Sequence, residues 1–376
     1  MQRHQIPMRE NWRAKVEQLG FTYHTLDGAT YWDESAYYEF NRSEADKIEQ
    51  STNELYQLCL QAVDHVIQHR WYDRFFIPDE FICKIETSWK NREPSVYGRF
   101  DLVWDGTENT SPKMLEFNAD TPTSLFEGAA VQWFWLNDFN NQLDQFNSIH
   151  EKLIARWIDV KPMIGDKSLY FSCLHQFPED LVNVNYLRDA TQAGIRTKFI
   201  SVHDIGRRKN SFVDLEENPI EFIFKLYPWE WMVNEEFNSL LNHSNTQWIE
   251  PIWKMILSNK AILPVLWELF PDHPKLLECY FDDPGPMKNY AQKPLFSREG
   301  ANITLVENEE IISETSGEYG EEGFVYQELL KLPNFDGFRP VIGSWIIGDQ
   351  AAGIGIRETN SLVTDNFSRF IPHVIR

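Results

Sequence analysis

"RFDLVWDGTENTSPKMLEFNAD", residues 99–120, decides the fold. Two strand-like runs flank DGTENTSP, a polar turn that contains Gly106 and Pro112. Alternate side chains of a strand share a face, so Arg99 and Asp101 point one way together, as do Glu116 and Asn118. Paired across the turn, the four converge on one patch. A plain sheet would prefer Val, Ile or Thr there. Two carboxylates and an amide carbonyl are hard oxygen donors of the kind Mg2+ takes beside waters and phosphate oxygens. Arg99 adds a planar, permanent positive charge suited to a phosphoryl oxygen. The plain alternative is an exposed sheet face carrying surface ion pairs.

On the N-terminal side, residues 1 to 90 read mostly as helix. SEADKIEQSTNELYQLCLQAVDHVIQH offers Ser43 as a cap and spaces Ile48, Leu55, Leu58, Cys59, Ala62 and Val66 at threes and fours. A helix is expected to follow from TPTSLFEGAAVQWFWLND. Further on, SLYFSCL, RTKFISV and IEFIFKLY are short apolar runs, and a helix ending at Gly194 lies between the first two. Strand, helix, strand predicts a small α/β layer. NKAILPVLWELF reads as a short buried helix, and the remainder is strand-rich.

The bulk numbers narrow the function. The chain has 376 residues and a net charge of -22. That charge argues against nucleic acid, whose binding rests on Lys and Arg neutralising phosphates, and against an anionic membrane surface. It leaves room for a nucleotide in a local basic pocket, and it favours a cationic partner. Cys59, Cys83, Cys173 and Cys279 are far apart, with neither the spacing of a thiolate metal site nor a disulfide framework. The polar start and the lack of a long apolar run lead us to expect no signal peptide and no spanning helix, with the cytoplasm as the default location.

Four further stretches carry chemistry. KPLFSREGANI, residues 293–303, places Lys293 before Pro294 and then small residues whose N–H groups can fold over phosphates. An ordinary hairpin turn is the alternative. Lys260 opens an apolar segment, where a solvated helix-end lysine is the alternative. Gln327, Glu328, Leu329 and Leu330 form a segment that either offers backbone groups to a flat base or is simply an amphipathic strand. Arg357 follows a Gly-rich approach and either neutralises a phosphate or sits in a surface turn.

Taken in order, GRFDLVWDG, LEFNADTPTSLFE, LYPWEW, NKAILPVLWELFP, KPLFSREGANI and SLVTDNFSRFIPH resemble the synthetase domain of glutathionylspermidine synthetase/amidase and its stand-alone acid–amine ligase relatives. The resemblance covers about residues 10 to 374, and no amidase part is expected before it. It implies an α/β (α+β) ATP-grasp fold in circularly permuted order, with a small α/β pre-ATP-grasp domain and a lid. The expected parts are 1–145, helices plus metal-binding strands; 146–235, the small α/β domain; and 236–376, the nucleotide-binding part, with the lid at about 285–335.

Residue by residue, the resemblance implies that Arg99 and Arg357 stabilise the transferred phosphate. Arg99, Phe100 and Asp101 touch the nucleotide phosphates, and Asp101, Glu116 and Asn118 hold Mg2+, two ions in all. Lys260 and Lys293 contact the nucleotide. Gln327 to Leu330 receive the adenine, and Leu362, Val363 and Thr364 form a further nucleotide-contacting strand. Thr121 and Thr123 keep hydroxyls where the glutathione-using relative has serines, whereas Ser124 replaces its cysteine. Trp231 stands where that relative holds glutathione with a threonine, so glutathione itself is not implied. Thr121, Thr123, Glu179, Asp180 and Glu230 are the expected substrate contacts; for Glu179 and Asp180 helix capping is the competing reading, and for Glu230 core packing of its flanking tryptophans.

The implied reaction joins a small-molecule or peptide carboxylate to an amine, with a polyamine among the candidates. ATP is the co-substrate and an acyl phosphate the intermediate. Two rivals use the same residues: kinase-like ATP chemistry on a small acid, and a non-catalytic nucleotide-binding scaffold.

Overall fold

The computed structural model describes residues 1–191, 194–365 and 367–376. Its centre is a five-stranded antiparallel sheet in the order Arg369–Ile371, Gln350–Thr359, Arg339–Ile347, Tyr97–Val103, Lys113–Asn118. The two strands of the opening stretch are therefore one edge of a sheet whose other strands come from the end of the chain. Phe100, Leu102 and Phe117 point to the back face, where Phe100 and Phe117 stack with ring centroids 3.9 Å apart. Such a pair is worth roughly 0.5–1.5 kcal/mol beyond its area.

The back face is covered by the 28-residue helix Arg42–His69. Its buried stripe includes Ile48, Leu55, Leu58, Cys59, Ala62 and Val66, as the 3.6-residue period predicts. Thr52 meets Ser344 of the sheet, hydroxyl to hydroxyl, at 2.6 Å. The cap differs from expectation. Asn41 accepts from the Glu44 N–H, and Glu44 answers by accepting from the Asn41 N–H, so the helix begins before Ser43. A reciprocal capping box satisfies two orphan donors where a lone serine satisfies one.

A second sheet is parallel throughout, in the order Gln247–Ile249, Phe222–Leu226, Ser168–Cys173, Arg196–Ser201. Helix Pro178–Asp189 makes the crossover between the last two strands in that order. The βαβ reading holds, although the helix ends at Asp189, well before Gly194; residues 192 and 193 of the expected helix lie outside the described residues. The strand Gln247–Ile249 lies beyond residue 235, so this sheet gathers more chain than 146–235.

The third sheet is antiparallel, in the order Cys279–Phe281, Phe324–Glu328, Tyr290–Pro294, Thr304–Glu307, Glu310–Glu314. Two of its side chains donate to backbone carbonyls at the edge of the central sheet, and Glu328 pairs with Lys113 there at 3.9 Å. Lys293 donates to the Leu115 carbonyl at 3.3 Å, and Gln327 Nε2 donates to the Met114 carbonyl at 3.3 Å. NKAILPVLWELF forms the buried helix Ile262–Leu269 as expected. The run after Phe126 starts with a π-helical turn, Glu127–Val131, before helix Gln132–Asn140. Among the described residues, no helix is long and apolar enough to cross a membrane.

Candidate active site

The register of the opening hairpin sets the site. Arg99 faces Asn118 and Asp101 faces Glu116, and the register slips only beyond Asp101. Directly opposed residues of an antiparallel pair project from the same face. Arg99, Asp101, Glu116 and Asn118 therefore share the front of the sheet. Arg99 Nε donates to Asp101 Oδ1 at 2.8 Å, and Asn118 Nδ2 lies 3.3 Å from both Asp101 and Glu116. Phe100, between them, points backwards. Its ring belongs to the core, so the expected contact with nucleotide phosphates would fall to its backbone.

Four cations surround the two carboxylates. Arg99 and Arg357 both pair with Asp101. Lys260 Nζ lies 3.3 Å from Glu116 and donates to the Ser297 carbonyl at 2.5 Å. Lys293 donates to Gln327 Oε1 at 2.6 Å. Burial alone would raise the Glu116 carboxyl, but Lys260, Lys293, Arg357 and Arg99 together hold it well below the carboxylate range. Burial lowers Lys293 to about 8, against the opposing pull of Glu116. Arg99 is also buried, yet Asp101 keeps it charged. An excess of cation over carboxylate in a shielded place is an anion site.

The donor set suits a hard cation shared with that anion. Two carboxylates and one amide are the number that Mg2+ uses beside phosphate oxygens and water. Among the described residues no three His, Cys, Asp or Glu side chains cluster as a metal cage, so a cation here would need the anion's oxygens as well. A half-turn of the Asn118 amide would put its oxygen beside the two carboxylates.

The third sheet and the chain end close the site from the other side. Leu329 packs with Val363, Ala291, Ile303 and Leu305 in one small cluster. A Cβ on Gly300 would stand 2.5 Å from the Thr364 carbonyl and 3.0 Å from Val363, so the glycine is required for this approach. Residues 361–363 form a bend after Gln350–Thr359, which corrects the expected strand at Leu362–Thr364. Leu362 is exposed, and Leu330 lies past the end of strand Phe324–Glu328. Glu328, the last residue of that strand, binds the Glu278 carbonyl through its N–H at 2.7 Å.

The expected substrate contacts also converge. The Thr123 carbonyl accepts from Arg99 Nη1 at 2.6 Å, and Thr123 works against the rise that burial imposes on the Glu179 carboxyl. Glu179 and Asp180 stand in the first turn of helix Pro178–Asp189, where negative charge suits the helix N-terminus, but neither side chain makes a capping hydrogen bond. Burial raises both carboxyls. Glu179 and Glu299 help push Asp180 up to about 7, while Arg99 and Arg357 oppose the rise of Glu179. Thr121 accepts from Arg298 Nη1 at 2.9 Å, and Arg298 also pairs with Glu230. Thr121, Glu230, Lys260, Glu116 and Arg298 line one cavity.

Arg298 was missed at the sequence level. Its stretch, SREGAN, was read for backbone amides and glycine, while the one cation within it was the available signal. Buried Glu127 was missed as well. It accepts from the Tyr31 hydroxyl at 2.8 Å, and burial beside Glu179 pushes it up to about 8. No spacing links residues 31, 127 and 179 along the chain.

The sequence matches, over residues 3–376, the family described as glutathionylspermidine synthase pre-ATP-grasp. A Haemophilus influenzae protein provisionally named an acid–amine ligase is 43% identical, with 98% of each chain covered. A Crithidia fasciculata trypanothione synthetase and an Escherichia coli bifunctional glutathionylspermidine synthetase/amidase are each 27% identical over 84% and 90% of this chain. The match spans 53% and 59% of those two proteins. In three dimensions, a glutathione synthetase-like effector from Globodera pallida aligns with a TM-score of 0.55 at 12% identity, covering 93% of this chain and 90% of its own, which bears on the fold alone. With a family match across nearly all its residues, the chain belongs to the glutathionylspermidine synthase pre-ATP-grasp family.

Proposed function

We propose that the protein is an ATP-dependent carboxylate–amine ligase that forms an amide through an acyl phosphate. One observation carries this reading: Arg99, Asp101, Glu116 and Asn118 share a face, ringed by Lys260, Lys293 and Arg357. Ligase and synthetase names among the relatives support it. In this reading the fold is an ATP-grasp fold of permuted order. The central sheet carries the metal-binding strands, the third sheet is the lid, and the parallel sheet is the pre-ATP-grasp domain.

Asp101, Glu116 and Asn118 would hold Mg2+, which neutralises phosphate charge and orients the phosphates when bound. Lys260 and Lys293 hold the nucleotide phosphates. Gln327 to Leu330 and Leu362 to Thr364 border the base and sugar. A substrate carboxylate attacks the γ-phosphoryl group and ADP leaves. Arg99 and Arg357 meet the charge that develops on the transferred oxygens. The amine, in its neutral form, then attacks the acyl carbon, the carbon–oxygen bond to phosphate breaks, and the proton lost from nitrogen leaves with the phosphate or to solvent. Glu179 and Asp180 stand on the side where an ammonium would be welcome, and Thr121, Thr123 and Glu230 border the acid. The third sheet excludes water, which would otherwise hydrolyse the acyl phosphate.

The test is ADP release with Mg2+, screening amino acids and peptides against amines. Release that needs both an acid and an amine, with amide product by mass, supports the ligase. Release with acid alone favours kinase-like chemistry, and binding of nucleotide without turnover favours a scaffold.

A further inference from the structure

The turn that leaves the metal-site strand is gripped from behind by two buried lysines. Residues 119–121 connect Asn118, on the front of the central sheet, to Thr121, which receives Arg298. Lys254 Nζ donates to the Ala119 carbonyl and to the Tyr97 carbonyl, both at 2.6 Å, and pairs with Glu250. Lys225 Nζ donates to both oxygens of Asp120 at 2.7 and 2.9 Å and to the Tyr227 carbonyl at 2.9 Å. Asp120 also accepts from the Trp229 N–H at 2.9 Å. Both ends of the Lys225–Asp120 pair are almost fully shielded, 1% and 0% exposed.

Placing two charges there is costly. Well-packed apolar residues of similar volume would be as stabilising as a buried pair, or more so. The pair does give direction. Lys225 lies on strand Phe222–Leu226 of the parallel sheet, just before the Tyr227–Trp231 segment that carries Glu230. Asp120 lies two residues beyond Asn118. The ammonium, through three hydrogen bonds, and the Trp229 N–H, through a fourth, thus lock the metal-side turn to the acid-side segment.

We infer that Lys225 is a positioning residue: through Asp120 it fixes the Asn118 amide for cation binding and sets the Thr121 hydroxyl against Arg298. It touches neither the cation nor the substrates. This rests on the proposed Mg2+ role of Asn118.

The experiment titrates Mg2+ into protein with a non-hydrolysable ATP analogue, followed by calorimetry. Lys225→Met leaves Asp120 buried without its partner and is expected to lower the unfolding midpoint. Lys225→Met with Asp120→Asn removes both charges and retains an acceptor for Trp229, so this double variant is the informative one. It should fold, and the Mg2+ concentration for half-saturation should rise about tenfold. Ile223→Val, in the same strand but away from the turn, should leave the Mg2+ titration at the wild-type value, whatever its effect on the midpoint. A double variant with wild-type Mg2+ dependence overturns the inference and makes Lys225 merely structural. Wild type without Mg2+-dependent nucleotide binding overturns the ligase reading itself, a different and prior failure.

Discussion

Arg357 and Asp101 lie on strands that do not touch, and their side chains still pair. The strand between them presents Gly343, which faces Asp101 on one side and Gly355 on the other. With no side chain at Gly343, two arginines reach one carboxylate across the front of the sheet. A Cβ at that position would stand 3.0 Å from Arg99 Cδ. The same Cβ would stand 3.3 Å from the Gly355 carbonyl oxygen, so Gly343→Ala should displace the Arg99 side chain most and press the neighbouring strand by a few tenths of an ångström. Turnover should fall roughly 10- to 100-fold, as displaced catalytic groups typically cost, with nucleotide affinity changed far less. Equal losses in kcat and in nucleotide affinity would count against a transition-state role for Arg99.

Neutralising the two carboxylates should cost stability unequally. Glu116 is partly exposed at the mouth of the site, and Lys260 beside it has the Ser297 carbonyl as a second partner. Glu116→Gln should abolish Mg2+-dependent turnover and, because the surrounding cations favour the charged carboxyl, lower the unfolding midpoint, though less than a change at Asp101 does. Asp101 differs, because Arg99 is buried against it. Asp101→Asn leaves that guanidinium without its counter-charge, a loss of about 3–5 kcal/mol for buried pairs. It should abolish turnover and lower the midpoint further. Thermal unfolding of both variants beside the ADP assay checks this contrast.

Much of this site was legible because strand alternation is strict. Parity alone put Arg99 with Asp101 and Glu116 with Asn118, and the register, Arg99 facing Asn118 and Asp101 facing Glu116, brings the two pairs onto one face. The same parity, applied to Phe100, puts its ring among core residues. Charges that meet only through tertiary folding gave no local signal. Lys225 and Asp120 are 105 residues apart. Arg298 lies in SREGAN, but its partners Thr121 and Glu230 come from two other segments. The bend at 361–363 is held by Ser361, whose hydroxyl donates to the Val363 carbonyl and accepts from the Val363 N–H, and the close approach of Gly300 to Thr364 is a tertiary contact that no strand propensity carries.

Lys293 gives a pH test with a definite sign. Burial moves it from the ordinary 10.5 to about 8, with Lys260 adding to the fall and Glu116, Cys279 and Asp101 opposing it. Between those values the unfolded chain holds the proton and the folded chain has lost it. The unliganded protein should therefore gain stability as pH rises through that window, since the unfolded state binds more protons. A phosphate oxygen beside Lys293 favours the charged form. Nucleotide binding just above pH 8 should then take up a proton, and affinity should fall as pH climbs further. Calorimetry in two buffers of different ionisation heat measures the uptake. Lys293→Gln should remove it, and uptake that survives this change assigns the proton to another group.

The third sheet should open at Arg298. This guanidinium is the polar tie from the glycine loop to Thr121 and Glu230, and it lies 5.5 Å from the Trp231 ring. Burial opposes its charge, but Glu230 more than compensates, so the tie is ionic in the unliganded protein. A substrate carboxylate entering the same cavity would compete with Glu230 for Arg298. Arg298→Ala should raise KM for the acid about tenfold or more, the range for a lost charge-assisted bond, and should leave nucleotide affinity near wild type. Glu230→Gln should act in the opposite sense, freeing Arg298 and lowering KM for a simple carboxylate. If both variants weaken the acid alike, Glu230 binds substrate directly and does not merely hold the arginine in reserve.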